Sequence, residues 1–196
     1  NNNVKPIENF YQQKVLRDIL HNDNGLILIC GATGTGKSTT LASMIEYINQ
    51  NKFKHIITLE EPIEYVFTNK KSLIHQREYH VDFENFSEAI KMAMRQDPDV
   101  RMESFFNQEQ IEAISMQIAS SLNSIIIQKL IPTIDENLVC CMDILLATTA
   151  VKNLISKNQL SQLISQMQLN RQNGMQFIQV DIEKLVKAKL IDEKIA

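Results

Sequence analysis

The sequence predicts an α/β chain, with a parallel sheet in its first half and a mostly helical second half. Two short apolar runs, Leu26–Cys30 and residues 56–59, lack polar alternation and read as strands buried on both faces. Between them, Leu41, Met44, Ile45 and Ile48 recur at helical spacing over residues 37–49. Strand, helix and strand in that order point to the α/β class. Further on, Ile111, Ile114, Ile118, Leu122 and Ile125 keep a helical period over a longer stretch.

Taken in order, residues 1–24 are polar apart from a helical stripe of Val15, Leu16, Ile19 and Leu20, and read as a lead-in. A turn cluster, Asn22 to Gly25, ends it. The second apolar run stops at Glu60, Glu61 and Pro62, because proline cannot continue a ladder. Residues 72–80 alternate weakly and read as an outer strand. Asn85 and Glu88 have capping-box spacing for a helix whose stripe is Phe86, Ala89, Ile90, Ala93 and Met94. Asp97 and Pro98 end that helix. Asn107 with Gln110 caps the longer helix that carries Ile111 to Ile125. Residues 138–146 read as a strand paired with residues 128–131, and three short helices are expected near 149–155, 159–169 and 181–189. The expected domains are a lead-in over 1–24, a core over 25–132 and a C-terminal hairpin with helices over 133–196.

Composition narrows the function. The chain has 196 residues, of which 44% are apolar, enough to bury a core. A net charge of −3 and no basic cluster beyond Lys70 and Lys71 argue against nucleic acid as a partner. No apolar stretch is long enough to span a bilayer and no leader opens the chain, so a cytoplasmic location is expected. The first residue is Asn, so the sequence is expected to be part of a longer protein. Cys30, Cys140 and Cys141 have neither disulfide nor zinc spacing and read as buried free thiols. His21, His55, His75 and His80 lack metal spacing and read as surface or structural.

One motif carries chemistry. Residues 31–38 read GATGTGKS and fit G-x-x-x-x-G-K-[ST] at each fixed position. A triphosphate has to be held without bulky side chains in the way. Gly31, Gly34 and Gly36 let the backbone wrap it with N–H groups pointing inward, and Ala32, Thr33 and Thr35 complete the turn. The loop opens a helix, whose dipole favours anions. Lys37 is placed to reach the β- and γ-phosphates, and the Ser38 hydroxyl to ligate Mg²⁺. A strand before and a helix after supply the context that the motif requires. Glu60, Glu61 and Glu64 follow the second buried strand, at the end where ligands bind in open α/β sheets. A carboxylate there either orients a water or metal, or belongs to a solvated turn. Arg77 and Arg95 read as phosphate contacts across a subunit interface or as exposed ion pairs.

Several strings together resemble one family. GLILICGATGTGKSTTLASMIEYIN, ITLEEPIEYVF, HQRE and AIKMAMRQDPDV occur in that order and look like the secretion-ATPase superfamily, whose members power type IV pili and type II and type IV secretion. AVKNLIS and NGMQ, with LVKAKLI after them, are similar to the tail of its pilus-retraction group. The resemblance implies a RecA-like P-loop NTPase core that binds ATP with Mg²⁺. It implies a Walker A loop from Gly31 to Thr39, with Lys37 acting on the phosphates. It implies an acidic "Asp box" over residues 57–64, with Glu60 and Glu64 near Mg²⁺ or the attacking water. It further implies a homo-hexamer with nucleotide at the subunit interface, a pilus platform protein as partner, and a place at the bacterial inner membrane. Pilus retraction, and so twitching motility, is the activity it suggests; pilus assembly or type II secretion is the alternative.

The sequence departs from the family in three places. Glu61 stands where Asp is usual, and Val151 and Lys152 where Ile and Arg are usual. Lysine lacks the planar fork of arginine. Most important, Val100 runs directly into RMESFFNQEQI, where the family continues with an apolar strand, a Gly-Glu-x-Arg-Asp sequence and a His box. The Walker B glutamate, the His-box histidines and the family's small N-terminal domain have no counterpart. Loss of a central strand would expose apolar faces and unpaired ladder groups. The expectation is therefore that the sequence is incomplete across the junction of Val100 and Arg101; a genuinely short chain would bind nucleotide without hydrolysing it.

Overall fold

The computed structural model describes residues 3–22, 26–85, 88, 89, 92, 100–103, 121–157 and 159–192. Its strands are β1 (Leu26–Cys30), β2 (His55–Glu60), β3 (Leu73–Glu78), β4 (Val100–Glu103), β5 (Leu122–Pro132) and β6 (Leu138–Leu146). Its helices are α1 (Gln13–His21), α2 (Lys37–Asn51), α3 (Thr149–Ser156), α4 (Leu163–Leu169) and α5 (Ile178–Lys187). Two compact units emerge, Asn1–Asn9 with Ser38–Gln110, and Phe10–Lys37 with Ile111–Ala196. β1 joins β5 and β6 in one sheet, and β2 lies between β3 and β4 in another.

The unit containing Ser38–Gln110 is built on β2. Both of its neighbours are parallel to it. Ile56, Ile57, Thr58 and Leu59 are buried, as an unbroken apolar run on a flanked strand should be. Ile57 and Leu59 pack with Ala89, and half-buried Phe83 covers them. β3 is the outer strand expected over residues 72–80. The Asn85 side chain accepts from the Glu88 N–H at 3.2 Å, which is the expected cap. Phe86, Ile90, Ala93, Met94, Asp97 and Pro98 lie outside the described residues. β4 was not expected. It spans the junction of Val100 and Arg101 and aligns Val100 with Ile56 and Glu103 with Leu59.

The other unit is a three-stranded mixed sheet. β1 runs parallel to β5, and β5 pairs antiparallel with β6 through nine registered positions, Ser124 with Leu146 to Pro132 with Leu138. Two expectations are corrected here. Leu122 and Ile125 belong to β5, not to the long helix; the rest of that helix, Asn107 to Ser120, lies outside the described residues. Ile125, Ile126 and Ile127 are consecutive β-branched residues that fit a pleated surface better than a helix. β1 is half-buried rather than sealed on both faces, and the Cys30 thiol is exposed. Among the described strands β1 has a single neighbour, which explains the difference.

The short C-terminal helices stand close to where the sequence placed them. Thr148 caps α3 by accepting from the Val151 N–H at 3.3 Å. Val151 packs with Leu145, Met167 and Met175. Ile178 and Leu185 of α5 pack on Ile131 and Cys141 of the hairpin. One buried carboxylate ties three segments of this unit. Asp181 accepts from the Met142 N–H at 2.9 Å, from Gln176 Nε2 at 3.1 Å, and from Gln12 Nε2 just ahead of α1. Burial, helped by the charges of Asp181 and Cys140, pushes the Cys141 thiol up to about 12.

Two outcomes follow for this unit. Asp181→Leu leaves a buried N–H and two carboxamides without their acceptor. It should cost about 1–3 kcal/mol or more in urea melts; an unchanged midpoint would contradict the tie. Exposed Cys30 should react with a thiol reagent at pH 8 in the native chain, whereas Cys141, neutral until well above that pH, should react only after unfolding. Equal native labelling of both would contradict the burial of Cys141.

Candidate phosphate-binding site

The glycine loop leaves the end of β1 beside β5. A Cβ on Gly31 would sit 2.6 Å from the Gln128 carbonyl oxygen and 2.7 Å from Thr35 Oγ1, so only glycine passes this point. Gly36 has φ +83°, in the left-handed region that side chains disfavour. The loop closes on itself, with the Thr35 N–H and hydroxyl donating to the Ala32 carbonyl at 3.3 and 2.9 Å. From β5, Gln128 Nε2 donates to the Thr35 carbonyl at 2.6 Å. The Lys37 ammonium donates to the carbonyls of Gly31 and Ala32 at 3.0 and 2.9 Å. It is thus held at the loop itself, where an arriving phosphate oxygen competes for its N–H groups.

These features fit a bound polyphosphate. The turn admits no side chain at Gly31, one cation is positioned at it, and Thr33 and Gly34 face solvent. Ser38, the first residue past Lys37, is also exposed, so its hydroxyl is accessible to a metal ion that takes oxygen ligands. Among the described residues no group of three His, Cys, Asp or Glu could hold a metal.

Thr39, Glu60 and Glu64 belong to the unit built on β2. The Thr39 and Tyr65 hydroxyls share a hydrogen bond of 3.0 Å, which brings the start of α2 against the turn after β2. Gln76 of β3 organises that turn. Its Nε2 donates to the Tyr65 carbonyl at 2.7 Å and to Glu60 Oε1 at 3.0 Å, and its Oε1 accepts from the Phe67 N–H at 2.9 Å. Thr58 Oγ1 also donates to Glu60 Oε1, at 2.7 Å. Glu60 is therefore half-buried with one oxygen fixed, while Oε2 has no partner among the described residues. Glu61 and Glu64 are exposed. Glu78 Oε2 accepts from the Ile63 N–H at 3.0 Å and adds a second brace to the turn.

Sequence reasoning missed Gln76, Tyr65 and Gln128. The strings HQRE and ITLEEPIEYVF, quoted for resemblance, contained Gln76 and Tyr65 without singling them out. Arg77 lies on β3 in register with Leu59, and Arg95 is outside the described residues. His55 Nε2 and His75 Nδ1 lie 3.1 Å apart and bond to each other.

Comparison with known proteins adds independent findings. Residues 7–104 match the family described as Type II/IV secretion system protein. The Type IV pilus retractation ATPase PilT of Pseudomonas aeruginosa is 32% identical over 230 residues, covering 97% of this chain and 67% of the relative. The Twitching motility protein of Neisseria gonorrhoeae is 33% identical, covering 96% of this chain and 61% of its own length. The chain thus spans about two thirds of the length of the relatives it matches. The first alignment is longer than the 196-residue chain, so that relative carries residues for which this chain has none. A crystal structure of the pilus retraction motor PilT with bound ADP superposes with a TM-score of 0.81 at 34% identity, covering 99% of this chain and 66% of that one. The Legionella pneumophila ATPase DotB superposes with a TM-score of 0.79 at 20% identity, a likeness of fold.

The bracing role of Gln76 is open to test. Gln76→Leu removes both donors and the acceptor that hold the turn. Limited proteolysis should then cut residues 61–69 several-fold faster than in the native chain; an unchanged rate would contradict the role.

Proposed function

The chain belongs to the type II/IV secretion system protein family, in its PilT-like pilus-retraction branch, and from that membership we propose that it binds and hydrolyses ATP as a motor of the type IV pilus. The observation that carries the proposal is the loop itself. It combines a turn closed to any side chain at Gly31, a cation held at the loop by Lys37, and an accessible hydroxyl at Ser38.

In this reading the amides of Gly34, Gly36 and Lys37 and the α2 dipole receive the phosphates. Lys37 exchanges its bonds to the loop carbonyls for phosphate oxygens. Bound Mg²⁺ supplies charge neutralisation and alignment of the phosphates. Thr39, through Tyr65, keeps the turn bearing Glu60 and Glu64 at the start of α2. Glu60, with one oxygen fixed and the other open, is the better placed to orient a water or a metal-bound water. Exposed Glu64 is the second acidic candidate. Retraction is favoured over assembly or type II secretion by the AVKNLIS and NGMQ strings and by the retraction names of one relative and of one solved structure. A homo-hexamer with nucleotide between subunits, docked on an inner-membrane platform protein from the cytoplasmic side, completes the proposal. No helix among the described residues is long and apolar enough to cross a membrane.

A second reading is favoured by one observation. The aligned relative has residues for which this chain has none, and in this reading the Gly-Glu-x-Arg-Asp sequence that the resemblance implies after Val100 is among them. A chain so shortened would retain nucleotide without turning it over. Phosphate release separates the two. Turnover abolished by Lys37→Ala supports the motor; tight binding of MgATP with no release supports the second reading. In either case Lys37→Ala should weaken MgATP binding by about tenfold or more, the size of a lost charge-assisted hydrogen bond. Unchanged binding would remove Lys37 from the site.

A further inference from the structure

Gln128 is a polar residue in an apolar place. It is fully buried on β5, two positions from fully buried Ile126. Its Nε2 donates to the Thr35 carbonyl of the glycine loop at 2.6 Å. A carbonyl only accepts, so the nitrogen of this carboxamide must face the loop. Its Oε1 then has no hydrogen-bond partner among the described residues, although it is buried. A buried acceptor left unmade is costly, and a leucine here would carry no such penalty. The carboxamide is therefore a net liability to the sheet unless its donor does something for the loop.

We propose that Gln128 is a positioning residue for the nucleotide site, fixing the Thr35–Gly36 peptide so that its N–H points at the phosphates. In a trans peptide the C=O and N–H point in opposite directions. With the Thr35 carbonyl held toward β5, the Gly36 N–H is aimed away from the sheet, to the side a ligand can reach. Gly36, at φ +83°, has no side chain to resist a flip of this peptide, so the orientation depends on the anchor. A would-be Cβ on Gly36 would lie 3.6 Å from Gln128 Nε2, which shows how closely the carboxamide underlies this one peptide. The backbone of the same residue sets the close approach at Gly31, so side chain and main chain of Gln128 shape both ends of the turn.

This deepens the proposed function and rests on the nucleotide reading of residues 31–38. The test is calorimetric titration of the full chain with MgADP, comparing native protein, Gln128→Leu and Ile126→Val. Ile126→Val perturbs the same strand without touching the loop. The expected result is an affinity about tenfold weaker in Gln128→Leu, the size of one lost hydrogen bond to the ligand. Its melting midpoint should be unchanged or higher, and Ile126→Val should bind like the native chain. Native-like binding by Gln128→Leu, or an equal loss in both variants, overturns the proposal. If the native chain itself fails to bind MgADP, the nucleotide reading fails instead. Should Gln128→Leu not fold, amide NMR of the native chain decides. Slow exchange of the Gln128 carboxamide protons together with a shift of the Gly36 N–H on adding MgADP supports the anchor. Fast exchange, or an unmoved Gly36 resonance, overturns it.

Discussion

The close passage of Gly31 over the Gln128 backbone is the constraint from which the rest of the candidate phosphate-binding site follows. β1 and β5 run parallel, and their register puts Cys30 beside Ile127. The next residue of the loop therefore turns directly over Gln128. A gap of 2.6 Å between its would-be Cβ and a carbonyl oxygen leaves no room for any side chain. The chain turns there, closes through the bonds from Thr35 to Ala32, and enters α2 with Lys37 folded onto the turn. Without the β1–β5 pairing, the glycines would be a flexible linker. With it, they form a preshaped turn, and preorganisation lowers the entropy lost when a ligand is gripped.

A second set of contacts holds the acidic turn. Glu60 ends a strand that is parallel-paired on both edges, so its backbone is fixed. Thr58 and Gln76 then fix one carboxylate oxygen, and Tyr65 links the turn to Thr39. The glycine loop and the acidic turn thus rest on different sheets. In each, a glutamine on a strand organises a loop through its carboxamide. The donor and acceptor on one short side chain let Gln76 bind three groups at once.

How much of this was legible in the sequence depended on whether the signal was local. The loop, the strand before it, α2 and β2 all declared themselves, because glycine spacing and an unbroken apolar run need only neighbours in the chain. The α/β class and the place of the short C-terminal helices followed from periodicity. β5 did not. Leu122 and Ile125 fit a helical step as well as a strand, and only pairing with β1 and β6 decides between them. β4 was hidden for a similar reason, since Val100 to Glu103 has four residues and little pattern of its own. The half-burial of β1 followed from its sheet neighbours, which a run of five apolar residues does not reveal. Gln128, Gln76 and Asp181 were missed because each is defined by partners far away in the chain, such as Thr35 for Gln128 and Gln12 for Asp181. A buried carboxamide among isoleucines was the one available hint.

The central claim is that this loop grips a nucleotide through its own backbone. A crystal structure of the chain grown with Mg²⁺ and a non-hydrolysable ATP analogue tests it most directly. The account requires the β-phosphate within hydrogen-bond distance of the Gly34, Gly36 and Lys37 amides, the Lys37 ammonium moved from the loop carbonyls to phosphate oxygens, and Ser38 Oγ on the metal. A triphosphate bound elsewhere, or a loop unchanged at saturating analogue with Lys37 still on Gly31 and Ala32, would contradict it.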